Sequence, residues 1–161
     1  MITLIPIDQS DFETFLEGMI VDYARDKVKS GNWLAEGSLE KSHAEFLSLL
    51  PNGLQTKDQF VFTIFDEETK TKPGVLWVQI KKDELCQRGF ICEFVIDLQF
   101  RGQGYGKKAL QALDQKMDEM GVESISLHVF AHNTNAIGLY KKMGYEVTNL
   151  YMSKKLPYHA G

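Results

Sequence analysis

Apolar positions along this chain fall into two rhythms, alternate residues and every third or fourth, and their succession predicts the elements. Ile2 to Ile7 reads as a short strand. Asp8 and Ser10 then offer caps for a helix carrying Phe12, Phe15, Leu16, Met19, Ile20 and Tyr23 at close to 3.6-residue spacing. A polar loop over 29–38 leads to a second helix from Ser38 to Leu50, which Pro51 terminates. Strands over 59–66 and 74–83 flank a polar turn and form a hairpin. A third long strand, 89–98, runs straight into "RGQGYGKK". A helix follows to Met120 with Gly121 as its C-cap, then a strand over 123–130. Asn133 caps a last helix that ends near Met143 and Gly144, and 145–156 reads as a final strand. The order predicts an α/β chain of α+β character: a mixed, mostly antiparallel sheet with helices on both faces. One domain over 1–156 is expected, and 157–161 is a tail to which the pattern assigns no role.

Composition narrows the class without naming a function. A chain of 161 residues can bury a sizeable core without disulfide or metal. Its net charge of −4 argues against a nucleic-acid partner, whose domain would be basic, and is compatible with a cationic acceptor. Cys86 and Cys92 fall in or near strands and have no metal-ligand spacing, so they read as reduced thiols in a cytoplasmic protein. No apolar run reaches the roughly 18 residues of a membrane span, and the first residues lack the basic end of a signal peptide, so no membrane association is expected.

The loop "RGQGYGKK" is the feature that demands chemistry. It sets Gly102, Gly104 and Gly106 where a helix must begin, although glycine is a poor helix starter. A dinucleotide fingerprint would need glycine where Lys107 stands. A P-loop would need glycine in place of Arg101 and a hydroxyl residue in place of Lys108. Both patterns fail. Free amides at a helix start still attract an anion, and glycines let a phosphate come close. Lys107 and Lys108 oppose the helix dipole by roughly 0.3–1 kcal/mol each, a cost that a bound diphosphate would remove. On the residues alone, a tight turn with solvated lysines explains the loop equally well.

The stretch "VIDLQFRGQGYGKKAL", followed after a helix and a strand by "HVFAHNTNAIGLYKKMGYEV", resembles the GNAT superfamily of acyl-CoA-dependent N-acetyltransferases. Arg101, Gly104 and Gly106 match its pyrophosphate loop. Asn133, Ala136, Leu139, Tyr140, Gly144 and Tyr145 match its second pattern. The resemblance covers about residues 90–150 and implies acetyl-CoA as co-substrate, with no metal. It implies a sheet splayed at a cofactor cleft between the strands 89–98 and 123–130. It places the diphosphate on the amides of Arg101, Gly102, Gln103, Gly104, Tyr105, Gly106 and Lys107. It also places the pantetheine arm on the backbone of Phe94, Val95 and Ile96, with a side-chain contact from Asn133.

Acetyl transfer needs a neutral amine, yet an alkylammonium of pKa ~10.4 is neutral only about once in ~2,500 at pH 7. A base or a desolvating channel is therefore required. Glu93 is a carboxylate inside the apolar run "FICEFVI", where a charge is costly unless paired or set in a cleft. Alternation puts Glu93, Val95 and Asp97 on one strand face. His128, in "SLHVF", is the other candidate base, and it stands where some family members carry glutamate. His128 and His132 are four apart, but on strand then loop, so they do not read as a zinc pair. Tyr140 shares a helix face with Ala136, Leu139 and Met143, as an ordinary core tyrosine would. The resemblance makes it the acid that protonates the coenzyme A thiolate. The first two helices and their loop should line the acceptor pocket, with Trp33, Asp22 and Glu36 as candidates for meeting a polyamine, another small amine or a peptide end. Homodimerisation stays open. A non-catalytic acyl-CoA-binding module on the same fold is the rival reading, and retention of Tyr140 beside a full diphosphate loop weighs against it.

Overall fold

The computed structural model describes residues 1–157 and contains two compact units, Met1–His128 and the chain from Val129 onward. The tail beyond 157 lies outside the described residues.

In the larger unit β1 (Ile2–Pro6) is followed by α1 (Gln9–Lys29), α2 (Ser38–Leu49), β2 (Gln59–Asp66), β3 (Thr71–Lys82), β4 (Gln87–Ile96), α3 (Tyr105–Glu119) and β5 (Ser124–Leu127). The strands form one sheet in the order β1-β2-β3-β4-β5, antiparallel except for the parallel β4–β5 pair. The predicted Asp8 cap is present, its Oδ1 accepting the Asp11 amide at 2.7 Å. α1 and α2 are joined from inside by Ser42, fully buried, whose hydroxyl donates to the Ile20 carbonyl at 2.7 Å. A buried hydroxyl without that partner would cost on the order of 1–3 kcal/mol, so the bond fixes how the helices meet.

Strand alternation sorts the core into two layers. On one sheet face Val61 and Trp77 join Phe12, Met19 and Leu50, with Phe46 packed against them. The indole of Trp77 donates to Gln59 Oε1 at 2.7 Å, which satisfies its only polar atom. The neighbouring position, Val78, points to the opposite face, where α3 buries Ala109, Leu110, Leu113 and Met117. The apolar stripe of α3 therefore covers one face of the sheet, and α1 with α2 the other.

The smaller unit contains α4 (Thr134–Lys142), capped by Asn133, whose Oδ1 accepts the Ala136 amide at 3.4 Å. Two expectations need correction. β5 ends at Leu127, three residues early, because its ladder to β4 stops there. Residues 145–156 carry no strand, although their pattern reads as one. Val147, Leu150, Tyr151 and Met152 are exposed, and alternation without a ladder to pair with does not make a strand.

Candidate active site

The site begins with a phase change in β4. Trp77 pairs with Glu93, but the next residue, Val78, pairs with Ile91, so Cys92 is an extra residue on β4. Such a bulge bends its strand and increases the local twist. The parallel ladder runs from Arg88–Ser124 to Ile91–Leu127 and ends immediately before the bulge. Beyond it, residues 93–96 remain paired to β3 and have no partner in the β5 ladder. The ladder between the two strands therefore ends after four pairs.

The backbone groups that face this opening follow from the ladder. The Asp97 amide donates to the Pro73 carbonyl at 2.8 Å, which makes that pair a hydrogen-bonded one. Pairs alternate, so Val95 directs its amide and carbonyl to Val75 on β3, whereas Phe94 and Ile96 direct theirs away from β3. The Ile96 carbonyl already accepts from Arg101 Nε at 2.8 Å. The groups turned away from β3 are the Phe94 carbonyl, the Phe94 amide, which also donates to Glu93 Oε1 at 3.3 Å, and the Ile96 amide. Of the three residues expected at the pantetheine, Val95 is the one whose backbone is committed to the sheet.

The glycine loop lies directly after this segment. Gly102 and Gly104 have φ of 74° and 84°, the left-handed region that penalises a Cβ, and Gly106 lies inside the helix without that need. Gly104 caps α3 with no side-chain acceptor. The first bond of the helix runs from the Lys108 amide to the Gly104 carbonyl at 3.2 Å, so the amides of Tyr105, Gly106 and Lys107 precede it. No acidic residue stands in the first turn. Gln103 folds back, its Nε2 donating to the Gln99 carbonyl at 2.9 Å. This is a helix start with its positive end bare.

Glu93 lies on the α1–α2 face opposite Trp77, and the bulge brings Cys92 to the same face, against the apolar cluster. Burial pushes the Glu93 carboxyl above its ordinary range, opposed by the Phe94 amide at 3.3 Å and reinforced by the charge of Asp22. A raised carboxylate is a better proton acceptor near neutral pH than an exposed one. Burial pushes the Cys92 thiol up to about 11, so it is not a nucleophile at neutral pH. β5 adjoins β4 as expected, and His128 follows its last paired residue, Leu127, which is paired with Ile91.

Aromatic rings line the α1–α2 side. Tyr23 meets Trp33 edge-on at 5.5 Å and Phe46 at 5.7 Å, and Phe46 reaches Trp77 at 6.3 Å. Lys27 and Lys41 lie over the Trp33 ring at 5.8 and 5.9 Å. Asp22 pairs with Arg25 at 3.0 Å, and Glu36 is exposed. In the smaller unit, Tyr140 lies on α4 and packs edge-on against Tyr145 at 5.6 Å. Among the described residues no group of three or more His, Cys, Asp or Glu could hold a metal ion, and no helix is long and apolar enough to cross a membrane.

Two features have no counterpart in the sequence reading. The bulge leaves no mark in hydropathy, since Ile91, Cys92 and Phe94 are all apolar around Glu93. The second is a bond from the Tyr105 phenol to Asp66 Oδ2 at 2.6 Å, which joins the glycine loop to the β2–β3 hairpin.

Comparison with known proteins agrees with this geometry. The sequence model of the Acetyltransferase (GNAT) family matches residues 36–145. The chain is 40% identical over 155 residues to the uncharacterized N-acetyltransferase YycN of Bacillus subtilis (strain 168), covering 96% of this chain and 99% of YycN. The crystal structure of YycN superimposes with a TM-score of 0.87 at 39% identity, over 97% of this chain and 99% of that one. A 72-residue stretch is 35% identical to the spermine/spermidine N(1)-acetyltransferase of the same organism, 44% of this chain and 47% of that enzyme. A sheet parted beside a bare helix start, and relatives matched along nearly the whole chain, lead to one assignment: the chain belongs to the GNAT acetyltransferase family, as an N-acetyltransferase with an acyl-CoA co-substrate.

Proposed function

We propose that the chain transfers the acetyl group of acetyl-CoA directly to a primary amine of a small molecule or peptide, in a ternary complex. The observation that carries the reading is the parting of β4 from β5 beside the uncapped start of α3. The diphosphate binds the amides at the head of α3, and the pantetheine arm takes the place of a strand along Phe94 and Ile96, where backbone groups lack a ladder. Asn133 adds a side-chain contact to the arm.

Glu93, with its raised carboxyl, draws the proton from the incoming ammonium, with His128 as the alternative base. The neutral nitrogen attacks the thioester carbonyl, and backbone amides on β4 stabilise the oxyanion. Collapse of the intermediate expels the thiolate, to which the Tyr140 phenol gives its proton; the surplus proton on the acetylated nitrogen passes through solvent to restore the phenol, and Glu93 releases the first proton to solvent. Asp22 on α1 adds negative charge near Glu93, which favours a cationic acceptor. The partial likeness to a spermine/spermidine acetyltransferase makes polyamines the first acceptors to try.

The test is a panel of amines, spermidine and spermine included, and of peptides with free N-termini or lysines. Each is incubated with acetyl-CoA while thiol release is followed. Turnover above the rate without amine is expected for at least one class. Release no faster than the amine-free background across the panel would remove the catalytic reading.

A further inference from the structure

The glycine loop is expected to bind a diphosphate, yet two of its residues occupy left-handed backbone and none of its glycines has a side chain to hold it in place. A loop of that kind loses entropy when a ligand orders it, and affinity falls accordingly. Something must hold the start of α3 beforehand. The apolar residues that anchor the helix, Ala109, Leu110, Leu113 and Met117, begin four residues after Tyr105. Two side chains tie the loop to the sheet: Arg101, through the Ile96 carbonyl, and Tyr105, through Asp66.

Asp66 is unusual among the acidic residues in being buried, at 7% exposure. It closes β2 and organises the hairpin that follows. Its Oδ1 accepts the amides of Glu68 and Thr69 at 3.0 and 3.4 Å, and its carbonyl accepts the Lys70 amide at 2.8 Å. That leaves Oδ2 for the Tyr105 phenol at 2.6 Å, a length typical of a charge-assisted bond. One carboxylate thus sets a turn with one oxygen and a helix start with the other. Phe100, in the turn before the loop, packs edge-on against the Tyr105 ring at 5.8 Å and limits its swing. The residue held is also one whose backbone amide stands at the bare end of the helix.

We propose that Tyr105 and Asp66 are positioning residues for the co-substrate: their bond holds the first turn of α3 in the arrangement that receives the diphosphate of the acyl-CoA. The proposal rests on the diphosphate reading of the loop given above. The bond touches no reacting atom, so it acts on co-substrate binding and leaves the chemical step alone.

Tyr105→Phe keeps the ring and its Phe100 contact and removes only the donor. Its KM for acetyl-CoA, and its Kd for coenzyme A by calorimetry, should rise roughly 10-fold or more. Its kcat and its KM for the amine should stay at parent values. A merely structural bond would lower the melting temperature without splitting KM from kcat in this way. Asp66→Asn takes the charge from the same bond and should shift the same parameter, and the two substitutions should be less than additive in the double variant, since they act on one shared bond. Parent affinity for coenzyme A in Tyr105→Phe, or equal losses in kcat and in affinity for both substrates, overturns the proposal. Gly104→Val separates the two levels. If it weakens coenzyme A binding while Tyr105→Phe does not, the positioning role alone fails. If neither does, the diphosphate reading fails with it.

Discussion

Gly74 separates β3 from the segment of β4 that borders the opening, and replacing it with alanine tests how closely the two are set. A Cβ built on Gly74 would overlap the carbonyl oxygen of Val95 and lie 3.0 Å from the Val95 carbonyl carbon and 3.1 Å from Ile96 Cα. All three are backbone atoms, so no rotamer change relieves the conflict. Gly74 is not in left-handed backbone, so the requirement is for space alone. The strands must separate by on the order of 1 Å, and Phe94 and Ile96 move with them. Overpacking of this kind costs about 1–3 kcal/mol. At about 2–4 °C per kcal/mol for a domain of this size, Gly74→Ala should melt roughly 2–12 °C below the parent. A ~1 Å displacement of groups that position a reacting centre can cost ~10²-fold in rate, so if Phe94 and Ile96 hold the thioester as proposed, thiol release at saturating acetyl-CoA should fall towards that extent. Thermal melts followed by circular dichroism and the thiol-release assay measure the two effects separately. Parent melting temperature together with parent turnover would refute the claim that β3 sets the position of the β4 backbone.

Other outcomes follow from single residues. Glu93→Gln should reduce turnover by ~10²-fold or more and abolish the rise in activity expected of the parent as pH passes the raised pKa of this carboxyl, read from a pH–rate profile. The sign for stability is the opposite of that for a paired carboxylate. The folded pKa lies above the unfolded one, so stability falls as pH rises through it, and Glu93→Gln should melt higher than the parent at pH 8 with the gap closing near pH 4. Tyr140→Phe should still bind coenzyme A but turn over at least ~10-fold more slowly where chemistry limits the rate, and a parent rate there would make Tyr140 a packing residue only. Gly18→Ala, exposed in α1 with nothing within 4 Å of the added carbon, should stabilise by roughly 0.5–1 kcal/mol without changing turnover, as a melt and an assay will show.

Where hydrophobic rhythm met a partner surface, the sequence was a reliable guide. β2 spans the predicted residues, and α1 begins just after its Asp8 cap and stops at the expected loop. Both carry an apolar face that packs against the same cluster, so periodicity and burial agree. The same rhythm in 145–156 did not make a strand, since ladder pairing depends on a neighbour that the pattern does not encode. Of the candidate site, the glycine loop and Glu93 were legible because each breaks a local rule, a weak helix start and a charge among apolar residues, and Asn133 was legible as the cap of α4. Tyr105 broke none. Its role depends on Asp66, 39 positions away, and on a hydrogen bond that no spacing predicts. That His128 would fall just past the end of the β4–β5 ladder was not legible either, since the ladder stops where the extra residue at Cys92 begins.

That extra residue acts as a dislocation does in a crystal, a single misfit that lets two lattices of different phase share one line. Residues 87–91 keep step with β3 on one side and β5 on the other, and their substitutions should register as changes in stability. Residues 93–96 keep step with β3 alone in a shifted phase, and theirs should register in the chemistry. One strand thus carries two selective pressures with a boundary one residue wide, so either half can vary while the other is held. Removing Cys92 would erase the boundary, bring the halves into a common phase, and let the β5 ladder run on past Leu127 over the stretch of β4 proposed to receive the thioester.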